Sequence, residues 1–145
     1  NIFLNEKTNI NPEHVALTNK ENAYEFKSLY VVSDDGGGSS LIRPDENQIK
    51  HEETVETTTL DDFEFKDIGL IKLDVEGAEL QVLQGAEQSI LDSNYPPIVF
   101  ESNGPGAHNH KRAELFKYLQ VTLGYSIAAI RGFDNMFIAV RQEAA

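Results

Sequence analysis

The sequence predicts an α/β fold built on a mostly parallel sheet and closed by a C-terminal antiparallel hairpin. Three observations carry that prediction. Residues 68–73, IGLIKL, and 98–100, IVF, are short, nearly continuous apolar runs of the kind found in strands covered on both faces. Between and after them, apolar residues recur at helical spacing, so strands alternate with helices, which implies parallel pairing through crossover connections. The chain then finishes on two strand-like runs, 125–130 and 136–140, joined by Arg131-Gly132-Phe133-Asp134-Asn135, a connection short enough for a hairpin.

The first part of the chain, residues 1–67, reads as β-rich. HVALT at 14–18 is a short apolar run closed by Asn19-Lys20, and YEFKSLYVV at 24–32 is dense in aromatic and β-branched residues; both predict strands. SDDGGGSS follows as a flexible connection, ETVETTT at 53–59 is a polar strand, and Leu60-Asp61-Asp62-Phe63 is a turn or a single helical turn. The second part, residues 68–145, reads β-α-β-α-β-β. Ala78, Leu80, Val82, Leu83, Ala86, Ile90 and Leu91 mark its first helix, which Gly85 should weaken or bend. Asn94-Tyr95-Pro96-Pro97 stops that helix, because proline cannot continue it and disfavours the α region for the residue before. Ala113, Leu115, Phe116, Leu119 and Leu123 mark the second, which Gly124 ends with an easy left-handed cap. Both parts belong to one domain of 145 residues.

Composition narrows the function classes. Twenty-four acidic against twelve basic residues give a formal charge of -12, which repels a phosphate backbone and anionic lipid headgroups, so neither nucleic acid nor a membrane is an expected partner. No apolar run approaches the roughly 20 residues of a membrane span, and the N-terminus lacks the basic start and greasy core of a signal peptide. Zero cysteines exclude disulfides and thiolate chemistry and permit a reducing compartment; a cytoplasmic location is the expectation.

Ligands of open α/β sheets bind beyond the carboxyl ends of the parallel strands. Asp74 follows IKL there and Glu101 follows IVF, so the two carboxylates would face one cleft if those strands are neighbours. The plainer alternative makes Asp74 a helix N-cap, with Glu76 and Glu79 adding favourable charge at the helix start, and makes Glu101 a loop acid. A divalent-metal centre on Asp74, Glu76 and Glu79 lacks the ligand periodicity of a calcium loop, so no metal is expected. His108 and His110 flank Asn109 before a helix, where they touch a substrate or simply face water. The glycine run at 36–38 is not a phosphate cradle, since no helical pattern follows it and Pro44 comes soon after.

Taken together, TTTLDDF at 57–63, IGLIKLDVEGAELQVLQGA at 68–86 and PPIVFES at 96–102 resemble the FkbM family of S-adenosylmethionine-dependent methyltransferases. HVALTN at 14–19 and the glycine-serine loop at 36–40 are similar to that family's pattern as well. The resemblance implies a class I methyltransferase-like, Rossmann-like three-layer sandwich, with S-adenosylmethionine as cofactor. It implies O-methylation of a hydroxyl on a sugar, another glycan acceptor or a small natural product. Under it, Asp74 orients the cofactor's amino-acid part or the acceptor hydroxyl, and Glu101 binds the acceptor or removes its proton. Ala16 and Leu17 lie against the adenine, His108 and His110 lie on the acceptor side, and Glu76 and Glu79 brace the loop and helix. The family's cofactor-loop strand-helix-strand is missing from the sequence and is expected to precede Asn1, so the chain reads as an N-terminally truncated domain. Without that first strand an edge of IGLIKL is left unpaired, from which a homodimer, or a non-standard pairing of the HVALT or YEFKSLYVV strand, is expected. The competing reading is a non-catalytic binding or assembly module that retains the fold.

Overall fold

A computed structural model describes residues 9–34, 37–102 and 109–141, with the backbone alone at 109 and 110. The described chain is a mixed α/β structure of two sheets and a few short helices. The first sheet holds β1 (Val15–Leu17), β2 (Phe26–Val31) and β3 (His51–Thr58) in the order β1-β3-β2. A 3₁₀ turn, Asp61–Phe63, leads out of β3 as the LDDF stretch predicts.

The second sheet holds β4 (Ile71–Leu73), β5 (Ile98–Glu101), β6 (Ser126–Ala129) and β7 (Met136–Val140) in the order β4-β5-β7-β6. Two helices, α1 (Glu79–Gln84) and α2 (Glu87–Asp92), connect β4 to β5, and α3 (Asn109–Lys117) runs on into a π turn over Tyr118–Thr122. Gly124, at φ 73°, takes the left-handed cap that the sequence predicts there.

The expected single, mostly parallel sheet is corrected. Only β1 with β3 and β4 with β5 pair in parallel, whereas β2 with β3, β5 with β7 and β6 with β7 are antiparallel. The physical reason lies in the closing hairpin. Its returning strand, β7, slots between β5 and β6, so one reversal of direction creates two antiparallel ladders. The β-rich part likewise pairs six residues of β2 antiparallel along β3 and forms its own sheet instead of extending the other. IGLIKL is a strand only over its last three residues, and Leu70 stands exposed. Among the described residues β4 pairs with β5 alone, so its other edge is open.

The helix predicted across residues 78–91 is bent into α1 and α2 at Gly85, where the backbone passes against Thr18 just beyond β1. Val82 and Leu83 of α1 and Ile90 of α2 bury against Ile98 and Phe100 of β5 and Leu115 and Leu119 from the α3 stretch. Phe100, fully buried, meets Phe116 at 5.8 Å and Phe137 at 5.6 Å between ring centroids, so α3, β5 and β7 are tied by one aromatic cluster. Burial of each such ring stabilises the fold by about 2 kcal/mol.

Tyr125 closes the core from below β6, and its hydroxyl donates to the Pro96 carbonyl at 2.8 Å. Burial pushes its pKa up to about 12, so it stays a donor throughout the physiological range. Tyr125→Phe is expected to cost about 1 kcal/mol, the worth of one neutral hydrogen bond plus the orphaned carbonyl. Urea unfolding of the two proteins checks this, and equal midpoints would show that the bond contributes nothing. Among the described residues no helix is long and apolar enough to cross a membrane.

Candidate functional site

The parallel register of β4 and β5 sets Ile71 beside Ile98 and Leu73 beside Phe100, and one step further it brings Asp74 and Glu101 out together at the carboxyl ends. Both line a cavity of about 790 Å³, which also takes Glu76, Gln81, Lys111 and Arg112 into its walls. The volume is in the range of small-molecule sites. Its opposite side comes from the segment after the glycine run. The Ser40 hydroxyl donates to the Glu76 carbonyl at 3.1 Å and accepts from the Ile42 amide at 3.1 Å, which fastens that segment over the β4–α1 turn.

The turn itself is tight. Glu76 sits at φ 50° and Gly77 at φ 96°, a left-handed pair in which only the second residue is sterically at ease. It carries the chain from β4 to α1, so α1 begins at Glu79 and its N-cap is Ala78, with no side-chain cap. Asp74 therefore is not the helix cap, and the acids after β4 are free of that structural duty. Glu79 does brace the turn, its Oε1 accepting from the Gly77 amide at 3.0 Å.

The four acids differ in their partners. Asp74 Oδ2 lies 2.7 Å from Lys72 Nζ in an exposed ion pair, the kind worth well under 1 kcal/mol. Glu101 Oε1 accepts from Asn135 Nδ2, a residue of the closing hairpin. Glu79 is held by Gly77 as described. The Glu76 carboxylate has no hydrogen bond or ion pair among the described residues, and burial, reinforced by Glu101, Asp74 and Glu79, pushes its pKa above the usual carboxylate value. On the same wall, Gln81 Oε1 is buried with no hydrogen-bond partner among the described residues.

Of the residues singled out from the sequence, Asp74 and Glu101 come together. Leu17 does not join them: it lines a separate apolar groove of about 290 Å³ with Leu60, Ile71, Leu73 and Val82. Ala16 pairs with Thr57 in the β1–β3 ladder and borders neither space. His108 and the loop around residues 104–106 lie outside the described residues, as does the NIFLN stretch; His110 contributes backbone to α3 and its side chain is likewise not described. Among the described residues no group of three or more His, Asp or Glu is arranged to hold a metal ion.

The sequence reading treated Glu76 as a brace and passed over Gln81. Glu76 had a signal, since an acid directly before glycine in a strand-to-helix turn has little room to fold back on the helix. Gln81 had none, because a glutamine between Leu80 and Val82 reads as any polar helix position. Outside the cavity, TTTLDDF proves to be structural. Asp61 accepts from the Ser89 and Gln88 amides at 2.8 and 3.3 Å at the start of α2, and Asp62 gathers Thr58, Thr59 and Tyr24.

A family model described as the methyltransferase FkbM domain matches residues 2–127. No curated protein and no solved structure matches the chain.

Proposed function

The chain belongs to the FkbM methyltransferase family, and from that premise we propose that it is an S-adenosylmethionine-dependent O-methyltransferase acting on a hydroxyl of a sugar or another small polyol or natural product. The observation that carries the reading is the meeting of Asp74 and Glu101 in one cavity at the strand ends. The lining suits such a cofactor: Asp74 and Glu101 present acceptor oxygens to an ammonium or a sulfonium. When bound, S-adenosylmethionine supplies a methyl group made electrophilic by its positively charged sulfur.

The residues of the chain then have positioning work. Asp74, loosely paired with Lys72, orients the amino-acid end of the cofactor or the acceptor hydroxyl. Glu101, fixed by Asn135, accepts a hydrogen bond from the acceptor and sets its angle of approach. Holding the two reactants in line accounts for most of what the protein must contribute. Ala16 and Leu17 as an adenine wall draw no support from the cavity, since they do not border it.

Isothermal titration with S-adenosylhomocysteine tests the reading. Micromolar binding is expected; no heat from a protein that is folded by circular dichroism would remove the cofactor from this proposal and leave a binding or assembly module. A homodimer joined along the open edge of β4 belongs to the same proposal, and light scattering that gives the mass of one chain would remove it.

A further inference from the structure

We propose that Glu76 is the catalytic proton acceptor of this site, the group that takes the hydroxyl proton from the acceptor as it is methylated. The inference rests on the methyltransferase reading above and goes beyond it, because it gives the proton to a residue that neither strand end nor helix cap would single out.

Geometry argues first. Four acids surround the turn, and three are engaged: Asp74 with Lys72, Glu79 with the Gly77 amide and Glu101 with Asn135. Glu76 alone has a carboxylate without a partner among the described residues. Its backbone is locked in the left-handed region by the Ser40 hydroxyl on its carbonyl and by Gly77 behind it, so a strained conformation is maintained for an otherwise unemployed acid. Strain of this sort costs on the order of 1–3 kcal/mol and persists where the surroundings over-determine it. Gln81 on the same wall has its Oε1 buried with no hydrogen-bond partner among the described residues.

Electrostatics follows. Glu76 faces Asp74 from β4, Glu79 from α1 and Glu101 from β5, and all three disfavour its ionised form. The cations on the cavity wall do not offset this. Arg43 is committed to Glu46 and Glu52, Arg112 lies over the Phe116 and Phe137 rings, and Lys111 makes no ion pair with Glu76 or any other acid among the described residues, so no cation lowers the Glu76 pKa. A carboxylate raised in this way holds a proton better than an ordinary one, which brings it nearer the working range of a general base.

In the step, the acceptor O–H bond breaks and its proton forms a bond to a Glu76 carboxylate oxygen, while the hydroxyl oxygen uses an electron pair to bond the methyl carbon. The carbon–sulfur bond breaks with its pair on sulfur, leaving a neutral thioether, a methyl ether and Glu76 as the neutral acid. Glu76 is exposed enough to return the proton to water.

The test compares wild type, Glu76→Gln and Glu79→Gln. Stability comes first, as it needs no acceptor. A raised native pKa means that Glu76 favours folding below its unfolded pKa and loses that contribution as pH rises through the native value. Glu76→Gln should therefore raise Tm at pH 8 by about 1 °C, the shift being discounted for the exposure of the side chain, and leave it unchanged at pH 4, whereas Glu79→Gln should lower it. The second readout is methyl transfer from S-adenosylmethionine to a panel of methyl pyranosides. Glu76→Gln should lower kcat/KM about 100-fold and abolish the acid limb of the pH profile, with S-adenosylhomocysteine affinity unchanged. If S-adenosylhomocysteine binds but no pyranoside is methylated, the proposal is overturned, since a raised Tm alone reports only that the Glu76 charge is disfavoured. An unchanged or lower Tm at pH 8, or a variant that keeps the wild-type acid limb, overturns the proposal. A wild type that does not bind S-adenosylhomocysteine overturns the methyltransferase reading itself, so the two failures are told apart.

Discussion

Gly85→Ala is expected to destabilise the protein by about 3 kcal/mol and lower Tm by roughly 10 °C, the scale of a severe overpacking in a core. A Cβ built at residue 85 falls 2.0 Å from the Thr18 carbonyl oxygen and 3.2 Å from Thr59 Cβ. The first distance is far inside van der Waals contact and the obstacle is backbone, so no rotamer change relieves it. Thr18 itself is pinned, its amide bonded to the Thr58 carbonyl at 2.9 Å, and the Gly85 carbonyl accepts from the Asp61 amide at 3.0 Å. Alanine must therefore push α1 away from the first sheet, and the joint between the two halves of the molecule opens. Helix propensity alone predicts the opposite sign, a gain of up to about 1 kcal/mol for replacing a glycine among helical residues. Gly69→Ala is the control: nothing lies within 4 Å of its Cβ, and a change within about 0.5 kcal/mol is expected. Chemical denaturation of both variants decides between close approach and propensity, and a Gly85→Ala protein as stable as wild type would refute the account.

The same glycine shows what the sequence could and could not reveal. Its place in the middle of an apolar periodicity announced a bend, and the structure has one. The cause, the end of a strand 67 residues earlier (18 to 85) passing against the helix joint, is a long-range contact that no local pattern encodes. The strands were legible for similar reasons: β1, β2, β3, β5 and β7 are runs whose β-branched and aromatic content exceeds that of their flanks. Their partners were not. The pairing of β7 between β5 and β6, which makes the sheet chiefly antiparallel, depends on competition among edges that composition does not rank. IGLIKL was overextended because continuous apolarity does not distinguish a strand from the buried approach to one. At the site, the convergence of Asp74 and Glu101 followed from the strand ends alone. The separation of Leu17 from them, and the solitary Glu76 carboxylate, depend on how the turn after β4 is folded.

Asp62→Ala is expected to lower stability by about 2 kcal/mol at pH 7, a figure already discounted for the exposure of the side chain. Asp62 Oδ2 accepts from the Thr59 amide at 2.9 Å, the Thr59 hydroxyl at 2.7 Å and the Thr58 hydroxyl at 2.9 Å, while Oδ1 accepts from the Tyr24 hydroxyl at 2.8 Å. Hydrogen bonds from Thr59, joined by those from Tyr24 and Thr58, hold the Asp62 carboxyl well below the usual carboxylate range, and the same contact pushes the Tyr24 phenol up. Truncation leaves the buried Thr59 without its acceptor and frees the start of the 3₁₀ turn from the end of β3. The pH dependence follows from the sign. A depressed native pKa gives stability that is complete above the unfolded value of about 3.9 and disappears as pH falls toward the native one. The gap between wild type and Asp62→Ala should therefore be widest at neutral pH and shrink below about pH 4. That is the reverse of Glu76, whose charge opposes folding at neutral pH, so the two variants move stability in opposite directions at pH 7 and converge on wild type in acid. Urea unfolding across pH 3–8 measures both, and a gap for Asp62→Ala that stays constant over that range would show that its ionised form is not what the threonines hold.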